Sequence, residues 1–192
     1  MFDINKVEIG DILQHKIKGK NDYLGIFISW FSLSKKDKYA HSAGYIGKGK
    51  KAEAHMGHKF GEMSIDPKEY KWIDIWRIKG GMNPKQYGIF LRVTKRYYGR
   101  NYDPIGLIGT IRSTLGKLFS FKWLSNSDPI FNNPKDFFCS EIMNRIYEDM
   151  VKEPDWVWGK IKFKNLDLAP DIHEEATQPT DLNQGGKLYK VS

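Results

Sequence analysis

The sequence cannot form an intramolecular disulfide bond, because Cys139 is the single cysteine among its 192 residues. Such a chain is typical of a reducing compartment, unless the lone thiol has a chemical role. The N-terminus lacks a positively charged segment followed by an apolar one, so we expect no secretory signal peptide. The longest apolar run, YLGIFISWF, is about half as long as a membrane-spanning helix. These absences predict a cytoplasmic protein and leave a phage-encoded origin open.

The sequence is rich in aromatic residues and in positive charge. The chain is 40% hydrophobic and contains six Trp, ten Tyr and eleven Phe, which is enough for a folded globule with one core. Its net charge of +8 favours anionic partners such as nucleic acid, cell-wall polymer or a membrane surface. The lysines are scattered, so a generally basic surface is favoured over a dedicated nucleic-acid face. No linker or repeat divides the chain, which predicts one domain over residues 1–192 with a polar tail from about residue 173.

Short alternating segments predict an antiparallel sheet in the first half of the chain. VEIGDILQHKI predicts a strand next to a turn at Gly10, and residues 39–65 contain further alternating segments broken by glycines. Residues 71–79 alternate again, with Ile73 and Ile75 on one face. We therefore expect the middle third of the chain to form the sheet.

Apolar residues at helical spacing then predict three helices. Pro84 suits a first helical turn and Gly99 suits a helix end, whereas residues 104–119 predict a weaker helix interrupted by glycines. A third helix begins at about Ser140. Strands followed by helices indicate an α+β domain. The predicted apolar stripes are Tyr87, Phe90, Leu91, Thr94, Tyr97 and Tyr98 in the first helix, and Ile142, Met143, Ile146, Tyr147 and Met150 in the third.

Cys139 lies at or next to the N-cap of the third predicted helix, in the segment NPKDFFCSEIMNRIYEDM. Free backbone N–H groups and the helix dipole favour an anion there, so the thiol would lose its proton more readily and become nucleophilic. A lone cysteine is more often a small buried hydrophobic residue than a nucleophile. The residues around Cys139 must therefore show which of the two it is. A nucleophilic thiol needs a base, usually histidine, that a third polar group orients.

His41 is the histidine best placed by the sequence to act as that base. It opens the small-residue strand HSAGYIG, and Glu53 follows in KAEAH. A hairpin centred on Gly47 would set His41 opposite Glu53, with Cβ atoms about 4.5–5.5 Å apart. A turn centred one residue later would set His55 opposite His41 instead, and the sequence leaves this register open. The five competing histidines are His15, His41, His55, His58 and His173.

Five short motifs occur in an order that resembles a known family. GDIL, HSAGYIGKGKKAEA, GRNYD, FFCSEIMNRIY and LAPDI follow one another as in the circularly permuted NlpC-type papain-like hydrolases, the YiiX/YaeF-like group. The resemblance spans residues 9–172 and implies an α+β papain-like fold, in which an antiparallel sheet or small barrel packs against helices. One departure is Ser42, where an apolar residue is more usual.

The resemblance also implies roles for individual residues. Cys139 corresponds to the nucleophile, His41 to the general base and Glu53 to the residue that orients the imidazole. Tyr102, in GRNYD, matches a motif tyrosine that either donates to an oxyanion or walls the pocket. The implied activity is that of a cysteine peptidase or amidase, or of an acyl hydrolase, without a cofactor. It would proceed through a thioester acyl-enzyme on peptidoglycan peptides, related amides or lipid acyl groups.

Other features of the sequence suggest different functions. HMGH at residues 55–58, together with His41, suggests a metal site, but a structural zinc site needs four ligands, usually including several cysteines. A turn is therefore favoured there, and no metal is predicted. The aromatic segments WIDIWRI and DWVWGKIKF could stack on bases or sugars, yet their alternation favours core packing. The alternative function is a non-catalytic basic binding module on the same scaffold, which would contact nucleic acid or envelope components.

Overall fold

The computed structural model describes residues 2–18, 39–55, 58–102, 136–137, 139–156, 182 and 186–191. The strands within them are β1 Ile12–Lys16, β2 Tyr39–Gly47, β3 Lys50–His55, β4 His58–Ser64, β5 Ile73–Ile78, β6 Asn101–Tyr102, β7 Asp136–Phe137 and β8 Leu188–Lys190. Six of these strands form an antiparallel sheet in the order β4-β3-β2-β1-β5-β8. The short strands β6 and β7 pair in parallel beside it. The predicted α+β class and antiparallel sheet are confirmed, whereas the helix predicted over residues 104–119 lies outside the described residues.

The sheet buries apolar side chains on both of its faces. Because successive strand residues point to opposite sides, Leu13 and Ala43 fall on one face and their neighbours on the other. The second face carries Ile12 and Ala52, and it packs against the two α-helices. The described α-helices are α1 Pro84–Arg96 and α2 Cys139–Lys152, and short 3₁₀ helices cover Ile4–Lys6 and Pro67–Trp72.

Helix α1 begins with a capping box. The Asn83 side chain accepts from the Gln86 N–H at 2.9 Å, and the Gln86 side chain accepts from the Asn83 N–H at 2.8 Å. Pro84 occupies the first turn as predicted, and the helix ends three residues before Gly99, whose φ is +85°. The apolar stripe is rotated from the predicted one, because the face toward α2 and the sheet passes through Ile89 and Val93. The buried residues of α1 are Gln86, Ile89, Phe90, Val93 and Thr94.

Helix α2 buries the apolar stripe that its sequence predicts, which confirms that prediction. The Tyr147 ring packs 5.9 Å from the Phe90 ring of α1, measured between centroids. The Tyr147 hydroxyl also donates a hydrogen bond to the carbonyl of Gly10, beside the start of β1. The helix is therefore held against both α1 and the sheet. Ile142, Met143, Ile146, Tyr147 and Met150 are each fully buried.

The GDIL motif has a structural role at the start of β1. Both oxygens of the buried Asp11 carboxylate accept from the Arg77 guanidinium of β5, each at 2.8 Å. The Glu8 backbone N–H donates to the same carboxylate at 2.8 Å. Burial raises the pKa of Asp11, even though Arg77 and this N–H act to lower it. The motif therefore fastens β1 to β5 through a buried two-pronged ion pair.

The end of the chain contributes a strand to the sheet. Leu188–Lys190 form β8, which pairs with β5, and the side chains of Leu182 and Leu188 are buried in the core. The expectation that the polar tail runs over the surface is wrong for these residues, because their leucines fill the edge of the core. No helix in the described part of the chain is long and apolar enough to cross a membrane.

Candidate active site

Three of the predicted site residues meet at the N-terminus of α2. Cys139 is the first residue of this helix, and its thiol is hydrogen-bonded to the His41 imidazole of β2. The other side of the ring meets β3, where His41 Nε2 lies 2.8 Å from Glu53 Oε2. Because Nε2 is engaged by Glu53, Nδ1 is the ring nitrogen that remains for the thiol. Cys139 is 4% exposed and the His41 side chain 17% exposed, so solvent reaches the pair from the imidazole side.

The β2–β3 hairpin adopts the later of the two registers that the sequence leaves open. Gly44 pairs with Ala52 and Tyr45 with Lys51, so the turn is centred one residue beyond Gly47. His41 therefore does not lie directly opposite Glu53, yet the expectation that Glu53 would then lose contact with His41 is wrong. The two side chains meet diagonally across the strands instead, which long side chains can do.

The surroundings of the Cys139 sulfur favour a thiolate. Burial alone would raise the pKa of Cys139, but the charge of His41 and its hydrogen bond to the sulfur lower it. Hydrogen bonds from the backbone N–H groups of Ser42 and Ser140 to the sulfur lower this pKa further. One of these donors comes from β2 and the other from the first turn of α2. The helix N-terminus therefore stabilises negative charge on the sulfur, as such termini do for anions.

His41 is correspondingly held in its protonated form. Burial would lower the pKa of His41, but the neighbouring Cys139 thiolate and Glu53 carboxylate raise it to about 10. Burial also acts to raise the pKa of Glu53, yet its bonds to His41 and the charge of Lys51 hold that pKa far below its ordinary value. The charges of the site therefore favour a thiolate–imidazolium pair, with the Glu53 carboxylate next to the imidazolium.

Lys51 is a further charged residue of the site, and no motif in the sequence points to it. Its ammonium lies 3.0 Å from Glu53 Oε2 and 3.1 Å from Glu69 Oε2, and its side chain is 5% exposed. Lys18 lies 3.1 Å from the other oxygen of Glu69. The available signal was the strand period: Lys51 and Glu53 are two residues apart on β3, so their side chains share one face.

Ser42 and Gln14 form a buried polar pair next to the site. They face each other across β1 and β2, and the Ser42 hydroxyl donates to Gln14 Oε1 at 3.0 Å. Both residues are fully buried. The departure from the family pattern at Ser42 is thus matched by a polar partner on the neighbouring strand, which a single sequence does not reveal.

His15 packs directly against His41. The two residues are paired in the β1–β2 register, and their ring centroids are 5.3 Å apart in an edge-on arrangement. His15 is 5% exposed, and its Nε2 has no hydrogen-bond partner within the described parts of the chain. Burial, followed by the charges of His41 and Lys51, lowers the pKa of His15 well below its ordinary value. His15 is therefore a neutral ring that flanks a charged one.

The remaining predicted residues lie at varying distances from this centre. Tyr102 ends β6 and pairs with Phe137 of β7, which precedes the start of α2 by two residues. It is half-buried and packs against the core cluster of the two helices, so its role toward an oxyanion stays a prediction. His55 and His58 are backbone partners in the β3–β4 register, at the ends of the two strands. His173, and Met56 and Gly57 of HMGH, lie outside the described residues.

No protein-family model and no curated protein matches this sequence. A solved structure does match: the crystal structure of the metalloprotein YiiX from Escherichia coli O157:H7, described as DUF1105. The two chains are 16% identical, the match covers 96% of each, and the TM-score is 0.55. The fold is similar to that of YiiX. The resemblance to the YiiX group is thus supported for the fold over nearly the whole chain, and at this identity the likeness extends to the fold alone.

Proposed function

We propose that this protein is a cysteine hydrolase on a permuted NlpC-type papain-like scaffold, with Cys139 as nucleophile, His41 as general base and Glu53 as the orienting residue. The observation that carries the proposal is the hydrogen-bonded chain from the Cys139 thiol through His41 to Glu53, at the N-terminus of a helix. A nucleophile, a base and an orienting group in contact are the parts that covalent acyl transfer needs. The substrate is an amide or an ester.

The first half of the reaction forms a thioester. The Cys139 thiolate attacks the carbonyl carbon, a C–S bond forms, and the carbonyl electrons move to the oxygen. The Cys139 backbone N–H has no partner within α2, because Cys139 is the first residue of the helix, and we assign it as a donor to that oxyanion. When the tetrahedral intermediate collapses, the bond to the leaving nitrogen or oxygen breaks, and protonated His41 gives its proton to the leaving group.

The second half of the reaction releases the acid. Neutral His41 takes a proton from water as the water oxygen attacks the thioester carbonyl. The C–S bond then breaks, the product acid leaves, and the thiolate–imidazolium pair is restored. The net charge of +8 suits an anionic cell-wall polymer or membrane surface that carries the scissile peptide, amide or acyl group.

The structural neighbour is described as a metalloprotein, but the residues of this site do not fit a metal ion. Among the described residues, no group of three or more His, Cys, Asp or Glu side chains could hold one. Glu53 Oε2 already accepts from His41 and lies 3.0 Å from the Lys51 ammonium, so a second cation would be repelled there. We therefore assign no metal to the proposed reaction.

The proposal is tested by labelling and turnover with activated acyl esters. Because Cys139 is the single cysteine of the sequence, a thiol-directed acyl probe should modify the wild-type protein once, at this residue. We expect Cys139→Ala to abolish labelling and turnover. We expect His41→Ala to slow acylation by about 100-fold or more, since it removes the imidazolium that lowers the pKa of Cys139 and protonates the leaving group. His58→Ala, on an exposed strand end, is the matched control and should leave the rate unchanged.

Full turnover by the Cys139→Ala variant would overturn the proposal. A thiol that titrates near its ordinary pKa of about 8.5, combined with salt-dependent polyanion binding that survives Cys139→Ala, would favour the non-catalytic basic binding module instead.

A further inference from the structure

Lys51 is an unusual feature of the site, because a lysine side chain is rarely this buried without a specific partner. It is 4% exposed as a residue, and its ammonium lies between two carboxylates, Glu53 on its own strand and Glu69 of the second 3₁₀ helix. The same oxygen of Glu53, Oε2, also bonds to His41 Nε2. His41 and Lys51 therefore share one carboxylate oxygen.

We infer that Lys51 is a positioning residue of the proposed active site, whose ammonium shares the Glu53 carboxylate with His41 and weakens the hold of that carboxylate on the imidazolium proton. The inference rests on the proposed function, and it concerns how strongly His41 holds its proton. Lys51 itself touches neither the thiol nor the reacting atoms in this arrangement. It acts through Glu53.

The charges around Lys51 form an alternating chain that runs from the buried site to the exposed Lys18. From the site outward it runs from the Cys139–His41 pair through Glu53 and Lys51 to Glu69 and Lys18. His15 of β1 also faces this chain, as a neutral ring. Because Lys51 is one ion pair closer to His41 than Glu69 is, its positive charge outweighs the negative charge of Glu69 at the imidazole.

The sharing of Glu53 also affects how readily His41 gives its proton to the leaving group. An imidazolium that faced an unshared carboxylate would hold its proton tightly and would transfer it slowly to a leaving group. A general acid works best when its pKa is close to the working pH. A cation beside Glu53 moves the pKa of His41 in that direction, because a nearby positive charge lowers the pKa of every group around it.

The test is the pH profile of Cys139 alkylation by iodoacetamide, measured on the full chain. Lys51→Met keeps the length of the side chain and removes the charge. We expect it to move the inflection for thiolate formation upward by roughly one pH unit. Lys51→Arg, which keeps the charge, should restore the wild-type inflection. The matched control is Lys50→Met, which removes the same charge one position earlier on β3, where the lysine is exposed and paired with exposed Glu62.

A profile of Lys51→Met that coincides with that of the wild-type protein would overturn the inference, because a lysine with only a structural role would not move it. If Lys51→Met does not fold, Lys51→Met/Glu69→Gln removes the ammonium together with its outer carboxylate, and the inflection should still rise. An unchanged inflection in that variant also overturns the inference. These outcomes are separate from failure of the proposed function, since Cys139 alkylation can be followed even if the protein hydrolyses nothing.

Discussion

At the scale of single residues, the Glu53 carboxylate controls how strongly the Cys139–His41 pair holds its protons. Its carboxylate binds His41 on one side and Lys51 on the other, and it is 4% exposed, so water screens neither contact well. A negative charge in this position raises the pKa of both the imidazole and the thiol, whereas Lys51 lowers both. The proton affinity of the pair is therefore set by two opposite charges at short range.

Replacing Glu53 should shift the same profile in the opposite direction from Lys51→Met. Glu53→Gln keeps an oxygen that can accept from His41 Nε2 and removes the negative charge. We expect the inflection of Cys139 alkylation to fall by about one pH unit, because the thiolate is then closer to a net positive surrounding. Glu62→Gln on β4 removes an exposed carboxylate and serves as the control. An inflection that rises in Glu53→Gln would contradict this account of the site.

At the scale of secondary structure, β2 can hold His41 next to Cys139 because it approaches the helices closely at Gly44. A Cβ atom at this position would lie 2.8 Å from Met143 Cε of α2 and 3.1 Å from Phe90 Cζ of α1. Ser42, whose backbone N–H bonds to the Cys139 sulfur, is two residues away on the same strand. The small residues of this strand thus set the spacing between sheet and helix.

We predict that Gly44→Ala destabilises the protein by about 1–3 kcal/mol, the usual cost of overpacking a dense core. Gly61→Ala on β4 is the control, because the nearest atom to its Cβ is a backbone oxygen at 3.9 Å. This control should be neutral or slightly stabilising, by about 0.5 kcal/mol, through the entropy of the unfolded chain. The free energy of unfolding of both variants is measured by denaturant unfolding. Adding Met143→Leu to Gly44→Ala should recover part of the loss, and a Gly44→Ala protein as stable as the wild type would contradict the close approach.

The sequence predicted those elements whose signal is local. The apolar stripe of α2 repeats every three or four residues, and the Cys139 position at its start follows from where that stripe begins. Strand alternation likewise predicted β5, since Ile73 and Ile75 fall on one buried face. Each of these follows from the periodicity of one segment.

Features that depend on pairing between distant segments were not predictable in this way. The register of β2 against β3 depends on the turn, where Lys48 takes a positive φ of 54° and lets the hairpin close one residue later than expected. Strand β8 joins the sheet through Leu188 in a tail whose composition is polar. The ion pair of Lys51 with Glu69 joins β3 to a 3₁₀ helix, and a single sequence carries no signal for such a contact.

At the scale of the whole molecule, the buried charges make stability depend on pH. Glu53, Glu69 and Asp74 each have a lowered pKa despite their burial, since neighbouring cations hold them ionised. Their contribution to stability is present above the unfolded carboxylate pKa of about 4.3 and is lost as the pH falls through their folded values. His15 affects the stability at higher pH than these carboxylates do, because it is a base that burial keeps neutral.

His15 should therefore make the protein less stable on mild acidification. Its pKa is lowered well below 6.5 in the folded state, so below about pH 6.5 the unfolded chain binds a proton that the folded chain does not. The free energy of unfolding should then decrease by up to about 1.4 kcal/mol for each pH unit below that value. Well below pH 6.5 His41 adds little slope, because it is then protonated in both states. Cys139, whose pKa is lowered in the folded state, adds a slope of the same sign as that of His15.

His15→Leu should therefore reduce the pH dependence between pH 6.5 and 5 without abolishing it, as measured by urea unfolding at several pH values. His58→Leu, at an exposed strand end, should keep the wild-type slope. An equal slope in His15→Leu and in the wild-type protein would mean that His15 is charged in the folded state. The description of His15 as a neutral ring beside His41 would then be wrong.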